Sequence, residues 1–374
     1  MFALSVAEVA VVSLAFAHTW ADLLASPRLH TRAADLDLPA LTVIVPARDE
    51  ALNIDGCLTS LRASDYPHLE IVVVDDRSTD GTAEAVRRHA STDARVRLIE
   101  GAERPDGWQG KSWALDQGVR AASGAWLAMV DADVTVSPRA LRGAVALAEA
   151  RGVALLSLLP RLRDETFWER VIQPVIGLFV FLCQPLWLAR APGSAVAVAN
   201  GQFLLVERGA YGDAGGHRAV KEAIVEDVEL ARRYKRLGLP VLITPAFADV
   251  EVRMYRGFAG IWRGWGKTIH PYVAAQPVRL WLGIVALLAV FWSPFIALPI
   301  AWALEASPGV VVAQAISCGL VLANAMAFRL VSRHELGHGV FWPLAILVLL
   351  ALFVARTAGA LCGGGVTWKG RRYA

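Results

Sequence analysis

The sequence predicts an α/β protein with a Rossmann-like, mostly parallel sheet and transmembrane helices at its N- and C-terminal ends. Three observations predict it. Short apolar strands alternate with helical segments from residue 41 onward, the pattern of a parallel sheet covered on both faces. Two of the apolar runs end in carboxylates, Asp75-Asp76 and Asp131-Ala132-Asp133, where such sheets bind ligands. Long uncharged segments lie near both ends of the 374 residues, in a chain that is 55% hydrophobic.

In chain order, residues 1–25 come first. Val9 to Ala21 is uncharged and reaches spanning length if Glu8 and Asp22 sit at the two interfaces. No basic residue precedes it, so an anchor is preferred to a cleaved signal peptide. Arg28, Arg32 and Arg48 follow it, which places the next domain, residues 38–275, in the cytoplasm. Within that domain Leu41 to Val45 reads as a strand and 50–63 as a helix opened by Asp49-Glu50. Ile71 to Val74 is the next strand, Thr82 to His89 a helix, and Val96 to Ile99 a strand. Phe167 to Arg190 reads as an interfacial or re-entrant helix pair, the pattern broken at Gln173-Pro174 and Gln184-Pro185, with Trp168, Arg170, Trp187 and Arg190 at headgroup level; a buried core helix is the alternative.

Residues 280–362 hold the C-terminal membrane segments. The stretches 280–304 and 306–328 are uncharged, and 339–355 spans if Arg356 snorkels. Residues 363–374 form a basic tail. Four spans would leave Lys369, Arg371 and Arg372 outside, against a rule that also puts Arg329 and Arg333 inside. Either the last segment dips back or the tail lies in the interface.

A net charge of +3 with scattered basic residues gives no nucleic-acid footprint. Cys57, Cys183, Cys318 and Cys362 have no paired spacing, so neither a zinc ribbon nor a disulfide framework follows, and they read as packing residues. No protein partner is predicted. His334-Glu335-Leu336-Gly337-His338 fits the H-E-x-x-H zinc string, which needs a helix with both histidines on one face. Gly337 and Gly339 interrupt it, so a membrane metalloprotease is the disfavoured alternative.

The carboxylates carry the chemistry. Asp131 and Asp133, leaving a buried strand, can hold a divalent cation against a diphosphate, because hard cations take oxygen ligands. Asp75 or Asp76 can accept from a uracil N–H or ribose hydroxyls, while Asp49 and Asp80 suffice for turn and cap duty. Lys111 follows the loop Gly107-Trp108-Gln109-Gly110 at a helix start, where its ammonium can meet a pyrophosphate. Asp227, beside Glu226 and Glu229, is either a general base or part of an acidic first turn. Together these groups suggest a nucleotide-sugar site.

The motifs Val43 to Glu50, Val73 to Thr82, Gly110 to Leu115, Asp131 to Asp133 and Glu226-Asp227 resemble, in order, those of the inverting glycosyltransferases of family two, which share the GT-A nucleotide-diphospho-sugar transferase fold. The membrane tail and Trp368 to Tyr373 are similar to those of ceramide-glucosyltransferase-like enzymes, and among these of the hopene-associated glycosyltransferases. The resemblance implies a multi-pass protein of the bacterial inner membrane. It would move a sugar from a UDP-sugar to a hopanoid or ceramide-like lipid, with a polysaccharide or polyprenyl-phosphate acceptor as the alternative.

It further implies donor contacts from Pro46, Ala47, Arg48, Glu50, Asp75, Asp76, Lys111 and Asp131, and Mg2+ or Mn2+ on Asp133 and Asp131. Asp227 would be the base, and Gly201, Gln202, Gly216, Glu226, Arg263 and Trp265 would lie on the acceptor side. Two departures stand out. His217 replaces a common apolar aromatic, and Ile261 to Lys267 replaces the usual Gln or Arg, two residues, then Arg-Trp.

Overall fold

The computed structural model describes residues 2–29, 38–183, 186–191, 193–275, 278, 281–283, 286, 290–361, 366–368 and 371–373. The chain divides into two compact units, one of Ala25–Arg161 with Gln184–Arg253, the other of Met1–Leu24, Leu162–Cys183 and Met254–Ala374. Its elements begin with α1 (Phe2–Ala25), β1 (Leu41–Ala47), α2 (Ile54–Arg62), β2 (Leu69–Asp75), α3 (Thr82–Thr92), β3 (Val96–Glu100) and α4 (Gly110–Ala121). Next come β4 (Trp126–Val130), β5 (Val134–Val136), α5 (Ala140–Arg151), β6 (Leu155–Leu159), β7 (Arg161–Leu162), α6 (Phe167–Cys183) and α7 (Leu186–Arg190). After these run β8 (Phe203–Glu207), α8 (Arg208–Asp213), α9 (Glu226–Arg236), β9 (Val241–Pro245) and β10 (Val250–Val252). The last helices are α10 (Gly257–Ala275), α11 (Ser293–Ala303), α12 (Pro308–Val331) and α13 (Trp342–Leu361).

The first unit is built on a seven-stranded sheet of order β3-β2-β1-β4-β8-β6-β9. Its strands are apolar on both faces because both are covered: Val43, Ile44, Val45, Val72 and Val73 have no exposed surface. Each such side chain contributes about 1.5–3 kcal/mol by leaving water. The parallel register pairs Ala47 with Asp75, so the first two strands end level. One strand is antiparallel. β8 pairs Phe203 with Val130 of β4, which sets the residues before Phe203 beside those after Val130. That reversal brings Asn200 to Gln202 to the acidic strand end.

The expected helix over 50–63 begins only at Ile54. Residues before it are held in a turn: Asp49 has φ 50°, Glu50 N–H donates to Thr82 Oγ1 at 2.8 Å, and Ala51 N–H to Asp80 Oδ2 at 3.0 Å. Backbone donors already committed to a neighbouring loop cannot open a helix there.

In the second unit α1, α12 and the stretch Leu336–Gly359, 24 residues each, are long and apolar enough to cross a membrane. Ser5 Oγ accepts from Gln314 Nε2 at 3.0 Å and Trp20 Nε1 donates to Asn324 Oδ1 at 3.1 Å, so α1 and α12 run side by side in the same direction. Glu8 accepts from Gln314 at 2.8 Å as well, which gives this carboxylate a helix partner besides the interface expected for it. Of the expected span 280–304, the described helix is the 11-residue α11; much of 280–289 lies outside the described residues. So do Lys369, Gly370 and Gln184-Pro185, while Val366–Trp368 and Arg371–Tyr373 pair as a small antiparallel ribbon.

Two expectations are corrected here. Pro174 does not break α6, which passes through it as a 17-residue helix. Proline cannot donate to the carbonyl four residues back, that of Arg170, and Arg329 Nη2 supplies the missing donor at 2.7 Å. The His334 to His338 string is not an α-helix: it leads into a 3-10 turn at Leu336–Phe341, and His334 Nδ1 pairs with Asp164 Oδ2 at 3.0 Å. The geometry a zinc protease requires is missing.

Candidate active site

At the ends of β1 and β2, Asp76 N–H donates to Ala47 O at 2.7 Å, tying the two strand ends together beside Pro46. Asp49 Oδ1 accepts from Thr79 N–H at 2.9 Å and Asp80 Oδ1 from Thr82 N–H at 3.1 Å, so these two residues perform the turn duty. Asp75 does otherwise. Its Oδ2 accepts from Ser78 N–H at 3.2 Å, while its Oδ1 is buried with no partner among the described residues. Arg48 Nη1 donates to Asp76 O at 2.8 Å and lies 3.6 Å from its Oδ2.

The centre of the site is Lys111 at the start of α4. Its ammonium lies 2.7 Å from Asp131 Oδ1 and 3.2 Å from Glu226 Oε1, and donates to Gly201 O at 3.1 Å. The same Gly201 donates its N–H to Asp227 Oδ2 at 2.5 Å. Asp227 Oδ1 accepts from Val228 N–H at 2.8 Å in the first turn of α9. Burial alone would lower the Lys111 pKa, but the Asp131 and Glu226 carboxylates outweigh it and raise it.

The two adjacent acids of α9 are pushed apart. Burial favours the neutral form of both. At Glu226 the Lys111 ammonium outweighs burial and holds the acid below the usual range. At Asp227 burial, with the Glu226 charge added, raises the pKa to about 7. Divergent pKa values suit the two carboxylates to different tasks, and an acid near 7 is suited to proton exchange at neutral pH.

Asp133 is raised to about 8, first by burial and then by the charges of Asp131 and Glu50. Asp131 is also raised, since burial exceeds the opposing pull of Lys111. Glu50 is anchored through Oε2, which accepts from Asn53 Nδ2 at 2.7 Å. Among the described residues no three ligating side chains form a closed metal cage. Asp131 and Asp133 offer oxygen donors whose mutual repulsion a hard cation would relieve, with the remaining coordination left to diphosphate oxygens and water. These residues fit such an ion.

Gly201 and Gln202 lie against this cluster, and Asp131 N–H donates to Gln202 O at 3.1 Å. Asn200 and Gln202 brace each other through Gln202 N–H on Asn200 Oδ1 at 2.9 Å. Gly216 has φ 53°, and a Cβ there would collide with the Tyr211 ring. The Tyr211 hydroxyl accepts from His217 N–H at 2.9 Å and meets His217 Nδ1 at 2.8 Å. Burial lowers the His217 pKa to about 4, so the ring is neutral. Tyr211, Ser78 and Cys57, whose thiol reaches Asp131 O at 3.7 Å, escaped sequence reasoning because each supports its neighbours through contacts that involve a backbone group, for which no motif exists. Arg263 and Trp265 belong to α10 in the other unit; Arg263 is exposed, and Trp265 Nε1 donates to Gln173 Oε1 at 3.2 Å.

Residues 42–206 match the model of the family described as Glycosyl transferase family 2. Over that stretch, which is less than half of the chain, the sequence is similar to family 2 glycosyltransferases. The chain is 29% identical over 262 residues to the 4,4'-diaponeurosporenoate glycosyltransferase of Staphylococcus aureus strain N315, covering 69% of its length and 68% of that relative. The protein of the same name from strain MRSA252 is 28% identical over 360 residues, covering 92% and 91%. Among solved structures, a Pyrobaculum calidifontis mannosyltransferase in complex with GDP-Man and Mn2+ superposes with a TM-score of 0.53 and 21% identity, over 96% of this chain and 98% of that one. That likeness shows the GT-A fold. The family match ends before α9, so the reading of Asp227 stands on the geometry around Gly201.

Proposed function

We propose that this transferase moves a sugar from a UDP-sugar to the hydroxyl of an apolar lipid, hopanoid or ceramide-like, in one inverting displacement. The observation that carries it is the convergence of Asp131, Glu226, Gly201 and Asp227 around Lys111, which joins a donor end and an acceptor end in one cluster. In this reading residues 38–275 form the catalytic domain on the cytoplasmic face of a bacterial inner membrane, and the terminal helices hold it there.

Pro46, Ala47, Arg48 and Glu50 would line the nucleoside, with Asp75 and Asp76 on the base and ribose. Asp75 supports uracil over guanine: it has one open carboxylate oxygen, uracil offers one imide N–H, and guanine offers an N–H and an amino group that want two acceptors. Lys111 would lie along the diphosphate as a point charge. Asp133 and Asp131 would hold Mg2+ or Mn2+, which when bound supplies charge neutralisation for the departing diphosphate. Asp227 takes the proton of the acceptor hydroxyl as its oxygen bonds to the anomeric carbon, the bond from that carbon to the diphosphate breaks, and UDP leaves. Glu226, still ionised, keeps Lys111 in place. Gly201, Gln202 and Gly216 would face the acceptor.

Membranes incubated with labelled UDP-glucose, UDP-N-acetylglucosamine or GDP-mannose, then extracted with organic solvent, test this. Label from a UDP-sugar in the lipid fraction is expected; label from GDP-mannose alone, or label only in polymer, overturns it. A second reading comes from the relatives, whose name specifies a carboxylate as substrate. A carboxylate acceptor arrives already deprotonated, so Asp227→Asn would then retain transfer, whereas with a hydroxyl acceptor it would not.

A further inference from the structure

A second cavity, of about 340 Å³, lies within the first unit where the C-terminal ends of α5, α7 and α9 meet the start of β9. Its lining residues all belong to that unit, and none belongs to the Lys111 cluster. The volume suits a small-molecule site, for which about 300–1,000 Å³ is usual. Pro27, Val153 and Leu239 give it apolar walls, and Arg151, Arg190 and Lys235 give it three cations. No carboxylate lines it.

Each cation has a local reason to be there. Arg151, Arg190 and Lys235 stand in the last turns of α5, α7 and α9, whose carbonyl ends carry about half a negative charge each. Lys235 Nζ also donates to Ala189 O at 2.8 Å and Val196 O at 2.6 Å. Helix ends offset at most about half of three unit charges, so the cavity keeps a positive surplus. Burial pulls the Lys235 pKa down with no carboxylate opposing it. The Arg151 side chain, exposed, has no ion pair among the described residues. A positive surplus between apolar walls fits an anion carried on an apolar body.

The chain shows where such a body would come from. Ala25, which borders the cavity, is the last residue of α1, a helix long and apolar enough to cross a membrane. The residues directly after it are held in place: Arg190 Nη1 donates to Ser26 Oγ at 2.7 Å, and Thr244 Oγ1 donates to Pro27 O. A spanning α1 therefore sets this cavity at headgroup depth. Trp187, exposed on α7, is the type of side chain that settles there. Arginines grip phosphate oxygens in pairs, and basic pockets beside membrane helices take anionic lipid heads.

We propose that this cavity holds the phosphate head of an anionic membrane phospholipid, bound by Arg151, Arg190 and Lys235 where α1 leaves the bilayer. The site stands apart from the sugar donor and the acceptor.

The test uses the full-length chain in neutral detergent. Dioleoylphosphatidylglycerol is the probe, dioleoylphosphatidylcholine the zwitterionic control, and glycerol phosphate the head without chains; native mass spectrometry follows bound ligand against concentration. The wild type is expected to bind phosphatidylglycerol at least about tenfold more tightly than phosphatidylcholine. Arg151→Gln and Arg190→Gln should each weaken phosphatidylglycerol about fivefold, the usual worth of one basic residue near an anionic lipid surface, and leave phosphatidylcholine unchanged. Arg151 holds no carboxylate, so Arg151→Gln should melt with the wild type and its binding result reports the cavity alone. Arg28→Gln removes an exposed cation next to Pro27 that does not line the cavity, and should weaken the lipid by less than about twofold. Equal loss in Arg28→Gln means diffuse attraction to a basic surface and overturns the proposal. Wild-type phosphatidylglycerol affinity in Arg151→Gln overturns it too, as does a wild type that does not prefer the anionic lipid. Glycerol phosphate bound as tightly as the lipid assigns the cavity to a soluble phosphate and rejects the lipid.

Discussion

Gly201→Ala tests the central geometry with a single methyl group. Gly201 does not have a left-handed φ, so alanine fits the backbone and the effect is local crowding. The new Cβ would stand 3.0 Å from Lys111 Nζ and 3.1 Å from Asp227 Oδ2. Ordinary contact lies beyond about 3.4 Å, so both charged groups must retreat by roughly 0.3–0.4 Å from the residue that binds each of them. Asp227 cannot slide freely, because its other oxygen is held by Val228 N–H at 2.8 Å. The bonds that lengthen are charge-assisted, worth about 1.5–3 kcal/mol each, and a tenfold rate change corresponds to about 1.4 kcal/mol. Partial loss of both predicts a kcat lower by about 10–100-fold. UDP-sugar affinity should change little more than threefold, since the contacts assigned to base and ribose lie at the ends of β1 and β2, which β4 separates from β8. Initial rates of lipid glycosylation in solubilised membranes, with donor binding measured in parallel, decide it. A folded Gly201→Ala protein whose kcat stays within about twofold would refute the idea that Gly201 sets the spacing between Lys111 and Asp227.

Asp227→Asn should abolish transfer to a hydroxyl while leaving UDP-sugar binding nearly intact; unchanged turnover removes Asp227 from the base role. Because a base works deprotonated and Asp227 is raised to about 7, activity should climb through neutral pH to a plateau above it. The sign for stability is the reverse: the folded chain keeps a proton that the unfolded chain loses near pH 4, so this group's contribution declines as pH rises towards 7. Lys111→Met leaves the Asp131 and Glu226 charges without their cation and should lower the melting temperature by several degrees, with partial recovery when Glu226→Gln is added; additive losses would show the groups to be independent. Chelation by EDTA should stop transfer and added Mn2+ restore it in the wild type but not in Asp133→Asn; chelator-resistant activity would sink the metal assignment. His334→Ala should retain transfer, measured after reconstitution, because that ring pairs with Asp164; zinc bound by the wild type and lost from the variant would revive the protease reading.

How much of this was legible depended on whether the signal was local. Val43 to Val45 and Ile71 to Val74 announce buried parallel strands because a sheet covered on both faces leaves no polar alternation to confuse the reading. Asp75, Asp131 and Asp133 were found because strand ends are where such sheets bind ligands. The start of α2 was misplaced because the donors of Glu50 and Ala51 are committed to Thr82 and Asp80, partners some thirty positions away that no window around residue 50 contains.

Pro174 and Gly201 define the limit more sharply. A proline inside a helical pattern argues for a break, because it orphans the carbonyl four residues back. That argument is sound for an isolated segment and fails here because Arg329, on a different helix, donates to the orphan carbonyl of Arg170. From sequence, Gly201 is a small residue before a strand that the family resemblance places on the acceptor side. Its importance appears only once β8 enters the sheet against the direction of β4, since the apolar run Phe203 to Val206 is equally compatible with either direction. The reversal turns its leading residues back onto Asp131 and lets one residue accept from Lys111 and donate to Asp227. Strand direction is thus the non-local fact on which the site depends, and motifs alone could name its carboxylates without saying that a glycine holds them in register.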